Sequence, residues 1–284
     1  LALLFALPGV LPAATIVGGD TVYTVQRGDT LHLISAKLGV SVTSIEKANQ
    51  IDPAQRLRVG QHLKVNTRKI VPKMREDGIV INIPDRTLYY FQNGKVESSF
   101  PVGLGMPEWR GLETWRTPEG SFRITGKEKD PTWFVPRSLQ WKMEQEEKDV
   151  LVSVAPGPEN PLGRYALKTS LPGILIHETI WPGSIYRFRS HGCVRVAPEY
   201  MEPFYLKVPR GVEGEIIYVP IKAALTDEGR VYLEVHRDIY RKIRDSQVEV
   251  RAVLERLNVP NKVNWRKVEA VLKEKAGVAE DVTL

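Results

Sequence analysis

Cysteine is all but missing from this chain of 284 residues: Cys193 stands alone. A single thiol excludes an internal disulfide, and an unpaired one kept in an oxidising compartment asks for a functional explanation. Apolar runs long enough for a membrane are missing too. The run that opens the chain ends at Ala14, short of the roughly 20 residues a spanning helix needs. It reads as the hydrophobic part of a signal peptide, with Ala13 and Ala14 as small residues for cleavage, although no Met and no basic stretch precede it. Residues 1–19 are therefore expected to be a leader remnant outside the fold, and no integral membrane segment is expected in the mature chain. Blocks of like charge are lacking. The 40 Lys and Arg against 34 Asp and Glu give a net charge of +6, but they are scattered, which argues against nucleic acid and leaves an anionic wall or lipid surface. There is no Gly-rich phosphate loop and no flavin, nucleotide or metal motif, so no cofactor and no metal is expected.

What is present divides by pattern. Residues 22–65 begin with the alternation Val22-Tyr23-Thr24-Val25-Gln26, a short strand. Gly28-Asp29-Thr30 makes a turn and a helix start, Leu31, Ile34 and Leu38 share a helical face, and Gly39 is placed to end that helix. A second helix carries Val42, Ile45 and Ala48, with Ser41 or Thr43 as its cap, and a closing strand follows Leu57. The order is βααβ. Residues 66–77 are polar and basic with Pro72, as in a linker. Residues 78–221 read as β: the runs 79–83, 88–91, 121–125, 173–177 and 215–219 are rich in β-branched and aromatic residues, and Asn93-Gly94 marks a hairpin. A mainly β sandwich or half-open barrel is expected. Residues 222–284 hold a strand at 231–235 and two helices, one stopping at Asn258-Val259-Pro260 and one from Trp265 to about Lys275 that Gly277 ends. This C-terminal α/β extension carries no catalytic cluster and is expected to be a packing subdomain.

One region gathers chemistry. Two of the five histidines, His177 and His191, lie 16 and 2 residues before Cys193. A thiol with an ordinary pKa of about 8.5 is mostly protonated at neutral pH, and an imidazole within reach corrects that. Gly192 lets the backbone turn closely beside Cys193, where N–H groups could meet a developing oxyanion. Spacing does not choose the base: His191 shares a face with Cys193 in a strand, and His177 must arrive from a neighbouring strand. One Cys and two His are also the minimum for a three-ligand zinc site.

The block Ser190-His191-Gly192-Cys193-Val194-Arg195, with Ile176-His177 before it, resembles the active-site signature of the L,D-transpeptidases of the YkuD family. Pro101-Val102-Gly103-Leu104-Gly105, Thr117-Pro118-Glu119-Gly120-Ser121-Phe122, Asn160-Pro161-Leu162-Gly163 and Pro182-Gly183-Ser184-Ile185 agree with it. The stretch Tyr23 to Leu31, with Asn49 and Val59-Gly60-Gln61-His62-Leu63, resembles a LysM module.

The resemblance implies a periplasmic or cell-envelope enzyme, exported and associated with peptidoglycan, of the kind found in Gram-negative bacteria. Its partners would be glycan strands and stem peptides, and in some members an outer-membrane lipoprotein. Cys193 would attack the bond between the stem's diamino acid and its terminal D-alanine, with His177 as base, and an amine would resolve the thioester. Hydrolysis at the same site and a non-catalytic wall-binding role are the alternatives. His191 and Gly192 would shape the oxyanion pocket, Ser190 would hold the turn, and Arg195 would orient the loop or a substrate carboxylate. In the LysM resemblance Gly28, Asp29 and Thr30 would flank a sugar groove with Asn49, Gln50 and Ile51. Glu178 departs from the family, where Gly or Ser is common; a side chain aimed into the site would raise the histidine's basicity. Trp181, between the two histidines, is a candidate groove residue.

Overall fold

The computed structural model describes residues 15–52, 56–108 and 115–284. The expected leader falls largely outside them. Residues 16–17, which that expectation included, form a short strand β1 (Ile16–Val17) within the fold. The N-terminal module follows as β2 (Asp20–Thr24), α1 (Leu31–Leu38), α2 (Val42–Asn49) and β3 (His62–Asn66). Its boundaries are set locally. Thr30 Oγ1 accepts the Leu33 N–H at 3.2 Å, and Ser41 Oγ accepts the Ser44 N–H at 3.1 Å, so each helix has the hydroxyl cap its free N–H groups require. Gly39 ends α1 at φ 64°. Strands β2 and β3 pair antiparallel and close over Val25, Ile34, Val40, Ile45 and Leu63.

The expected linker does not run free. Within it β4 (Lys69–Ile70) pairs with β1, and Lys69, Ile70 and Val71 are buried. What ties them down is remote in sequence: the Ile70 N–H donates to Glu234 Oε2 at 2.6 Å.

The barrel strands are β5 (Gly78–Asn82), β6 (Thr87–Gln92), β7 (Lys95–Gly105) and β8 (Gly120–Lys129). A strap of β9 (Trp133–Phe134), α3 (Arg137–Gln145) and β10 (Ser153–Val154) follows, then β11 (Tyr165–Thr169), β12 (Leu175–Glu178), β13 (Phe188–Ser190), β14 (Val194–Val196), α4 (Pro198–Lys207) and β15 (Glu213–Ile217). The mainly β expectation holds, and the ring closes: the order is β7-β14-β12-β11-β8-β15-β5-β6, with β6 returning to β7 and β13 added outside β7. Closure leaves the core strands no unpaired edge. The long β7 makes it possible. Its first part forms a hairpin with β6 across Asn93 and Gly94, both at positive φ as the tight hairpin turn demands, and its last residues pair with β14 and β13. Where it changes partners no side chain fits: a Cβ on Gly105 would lie 2.1 Å from the Trp115 carbonyl oxygen.

The tail holds β16 (Ile221–Leu225), β17 (Val231–Val235), α5 (Ser246–Arg256), α6 (Trp265–Glu274) and β18 (Ala279–Asp281). The helices cover the three-stranded sheet over Val231, Leu233, Val250, Leu254 and Val268. Helix α6 ends at Lys275 in the left-handed region rather than at Gly277. Gly277 is needed for a different reason, since a Cβ there would lie 2.7 Å from the His236 ring. The tail also enters the other cores, with Val278 in the N-terminal module and Tyr240 in the barrel.

Candidate active site

Cys193 occupies the turn between β13 and β14, and His177 lies on β12, the parallel neighbour of β14. Register sets His177 opposite Arg195. All three residues line one cavity of about 410 Å³ with Ser190, His191, Ile174 and Leu175, and the strap contributes Trp133, Phe134, Pro136 and Leu139 to its wall.

The turn is heavily hydrogen-bonded. Ser190 Oγ donates to the Cys193 carbonyl at 2.5 Å and accepts from the Gly192 N–H at 3.3 Å. Thr117 Oγ1 donates to the Gly192 carbonyl at 2.9 Å. Gly192 sits at φ 109°, a conformation that side chains rarely adopt. The thiol itself is lightly held: it donates to the Gly173 carbonyl and accepts from the Leu175 N–H, both at 3.4 Å. Burial pushes its pKa up, against smaller lowering effects from the Leu175 N–H and Arg195.

His177 is 4% exposed, and its Nδ1 lies 2.6 Å from the Glu178 carbonyl oxygen. A carbonyl only accepts, so Nδ1 carries the hydrogen and Nε2 is left with the lone pair. Burial pushes this histidine's pKa down to about 4. The resting pair is thus a neutral imidazole and a neutral thiol. Nε2 is the ring nitrogen left able to accept a proton.

The Glu178 carboxylate does not take the place considered for it. It packs on Gly163, where a Cβ would fall 2.7 Å from Glu178 Cβ, and is absent from the lining of the Cys193 cavity. Burial raises its pKa, against the pull of Arg164. Its backbone carbonyl, which any residue supplies, holds His177. Arg195 is largely buried, and its guanidinium makes no hydrogen bond to any described residue and stands 5.2 Å from the centroid of the Trp181 ring. An unpaired guanidinium in a cavity is suited to a carboxylate. Trp181 is half exposed and lies behind Arg195, outside the cavity lining. His191 packs edge-on to Trp115 at 4.5 Å, and burial pushes its pKa down to about 4.

The remaining expected positions lie in the N-terminal module, and several have internal partners. Asp29 accepts from Tyr23 Oη at 2.7 Å, the Gln26 N–H at 2.8 Å and Lys37 Nζ at 2.8 Å. Asn49 donates to the Ile45 and Lys64 carbonyls and accepts from the Lys64 N–H, joining α2 to β3. Thr30 caps α1, Gln50 ends α2 at φ 53°, Ile51 is buried, and Gly28 takes φ 88° in the turn. These residues shape the two loops; their side-chain polar groups are largely spent inside the module.

Residue spacing left zinc open as a rival for Cys193, His177 and His191. Among the described residues, the only trio of such ligands within 4.8 Å of one another is Asp85, Glu234 and His236. Lys222 fills that trio: its ammonium donates to Asp85 Oδ2 at 2.7 Å, the Ile70 carbonyl at 2.7 Å and Glu234 Oε1 at 2.8 Å. Two residues near the candidate site escaped residue-by-residue reading, Thr117 and Tyr240, and among the tryptophans it is Trp133 rather than the preferred Trp181 that lines the cavity. Thr117 was signalled by its motif block; Tyr240 had no local signal.

The YkuD L,D-transpeptidase catalytic domain matches residues 76–220, and the LysM domain matches residues 23–66. The chain is 28% identical over 235 residues to the probable L,D-transpeptidase YcfS of Escherichia coli K12, covering 81% of this chain and 72% of that protein. It is 25% identical over 292 residues to the probable L,D-transpeptidase ErfK/SrfK of Salmonella typhimurium, covering 100% and 92%. Among solved structures, an L,D-transpeptidase from Mycobacterium smegmatis aligns at 20% identity with a TM-score of 0.39, covering 72% of this chain and 95% of that one. With a catalytic-domain match over half its length, this chain belongs to the YkuD family of L,D-transpeptidases.

Proposed function

We propose that Cys193 is the acyl-accepting nucleophile of a peptidoglycan L,D-transpeptidase and that His177 is its general base. The supporting observation is the fixed tautomer of His177, whose Nδ1 is bound to the Glu178 carbonyl while the residue lines the cavity that holds Cys193. In the first half-reaction sulfur attacks the carbonyl between the stem's diamino acid and D-alanine. Nε2 takes the thiol proton and returns it to the departing amine, leaving a thioester. In the second, an incoming amine attacks the thioester, Nε2 takes its surplus proton, and the thiol is restored. The amine belongs to the diamino acid of a second stem, giving a 3→3 cross-link, or to an envelope lipoprotein.

Burial disfavours both thiolate and imidazolium, so the pair rests uncharged before substrate binds. Arg195 receives the stem carboxylate. Residues 22–65 act as the glycan-binding module through the backbone of the loops at 28–30 and 49–51, residues 78–221 as the catalytic domain, and residues 222–284 as the extension that joins them. The protein works in the envelope after export, on the wall.

Muropeptide mass spectrometry with a disaccharide-tetrapeptide tests this. Loss of one alanine with formation of a dimer, absent in Cys193→Ala, is the expected result. Tripeptide without dimer would assign hydrolysis to the site. Turnover that survives in Cys193→Ala would overturn the assignment.

A further inference from the structure

The hydroxyl of Tyr240 is wedged between the two backbone segments that hold the Cys193 turn. It donates to the Gly105 carbonyl at 2.9 Å and accepts from the Thr117 N–H at 3.0 Å. Thr117 Oγ1 in turn accepts from the Gly105 N–H at 2.8 Å and donates to the Gly192 carbonyl at 2.9 Å. Tyr240 is 4% exposed, so these bonds form away from competing water. The tyrosine is itself fixed. Its ring stacks on Tyr218 at 5.7 Å, its N–H donates to Tyr218 Oη at 2.9 Å, and Tyr218 Oη donates to Asp238 Oδ1 at 2.5 Å. Asp238 closes the local turn by accepting from the Lys242 and Ile243 N–H groups. An unbroken line of hydrogen bonds therefore runs from the tail to Gly192, and it starts outside residues 76–220, the catalytic-domain match.

The consequence follows from peptide geometry. In a planar trans peptide the carbonyl and the following N–H point in opposite directions. Thr117 draws the Gly192 carbonyl to itself, which fixes the direction of the Cys193 N–H on the other side. A donor of that kind must be aimed before the reaction begins if it is to stabilise an oxyanion without reorganisation.

We infer that Tyr240 is a positioning residue for acyl transfer, contributed by the C-terminal extension, which sets the Cys193 amide through Thr117 and Gly192; this rests on the reading of Cys193 as nucleophile. The tail is then part of the catalytic apparatus and not only a packing unit.

Tyr240→Phe in the full chain removes the hydroxyl and keeps the ring. Two reactions of Cys193 separate positioning from general damage. Acetylation by p-nitrophenyl acetate, which releases p-nitrophenol and leaves a thioester, passes through an oxyanion; alkylation by iodoacetamide does not. The expected result is acetylation slowed roughly tenfold, as for partial loss of one oxyanion donor, with alkylation within about twofold of the parent. Thr117→Val should do at least as much, and Thr117→Ser, which keeps the oxygen, should restore the parent rate. Both rates unchanged in Tyr240→Phe, or both lowered together, would overturn the inference. If the parent and Cys193→Ala acetylate alike, the nucleophile assignment fails, and the role of Tyr240 with it.

Discussion

His177 and His236 make an instructive pair. Each is nearly inaccessible, and burial pushes each pKa down to about 4. Their surroundings differ. His177 is held at Nδ1 by a backbone carbonyl, and the residue lines a cavity. His236 is held at Nε2 by Glu234, 2.6 Å away, in a buried cluster where Asp85 and Glu234 face Lys222 and Lys69. Two carboxylates and two ammonium groups already balance there, so a neutral His236 donating to Glu234 completes the cluster without adding charge. Neither a shifted pKa nor a place on a cavity wall singles out a catalytic residue here, since His236 lines a cavity too. What sets His177 apart is that its cavity also holds Cys193 and Arg195.

The comparison breaks most sharply by substitution. His177→Gln is expected to lower kcat/KM by about 10³-fold with a small change in melting temperature, the magnitude of losing a general base. His236→Gln is expected to leave kcat/KM within about threefold, because the cluster touches no reacting group. A large activity loss in both variants at unchanged stability would erase the distinction. Steady-state kinetics beside thermal unfolding decides it.

Next in size is the cluster itself. Lys222 connects the barrel turn at Asp85, the segment at Ile70 and strand β17, so three parts of the chain depend on one ammonium group. Lys222→Met leaves two buried carboxylates facing each other, and a loss of about 3–5 kcal/mol in urea unfolding is expected. The double change Lys222→Met with Glu234→Gln should recover part of it. If the single change costs less than about 1 kcal/mol, the junction is not held electrostatically.

These contrasts also show which parts of the molecule local sequence could reveal. Both helices of the N-terminal module, their hydroxyl caps, Gly39 and the Asn93-Gly94 hairpin were legible because each depends on neighbours a few residues away. Cys193, His177 and the turn at 190–195 were legible as a motif. The role of Ile70 was not, since its partners come from residues 222 and 234 and its own segment is merely polar and basic. Tyr240 escaped for the same reason, its hydroxyl meeting Gly105 and Thr117 across more than a hundred residues. The strap helix α3 left a weak pattern because only Leu139 is buried along it and Trp141 is exposed.

Proton binding sharpens the comparison further. The folded pKa of His177 lies near 4, below the ordinary value of about 6.5 expected in the unfolded chain. Above about pH 6.5 the imidazole is neutral in both states and its contribution to stability is complete; as pH falls toward 4 the unfolded chain binds the extra proton and stability declines by about 1.4 kcal/mol per pH unit for this group. His236 acts in the same direction. Activity has a different signature. The acid limb of kcat/KM is expected near pH 4, where His177 protonates, and not near 6.5. In His236→Gln the limb should stay in place while the pH slope of stability shrinks. A limb near 6.5 in the parent would mean that the base is not a buried neutral histidine.

The smallest effect concerns Glu178, the side chain next to the proposed base. Its carbonyl orients His177, and its carboxylate packs on Gly163 with its charge disfavoured by burial. Glu178→Gly keeps the carbonyl, so kcat/KM and the ratio of dimer to hydrolysed product are expected within about twofold of the parent. Gly163→Ala works on the same contact from the other side, placing a Cβ 2.7 Å from Glu178 Cβ at a residue with φ 64°. It should cost about 1–2 kcal/mol of stability from the left-handed backbone alone, and adding Glu178→Gly should recover only the steric share. A ratio of dimer to hydrolysed product that departs from the parent's in Glu178→Gly would show instead that the carboxylate reaches the acceptor. An unchanged ratio would leave the backbone carbonyl as the whole of this residue's part in the chemistry.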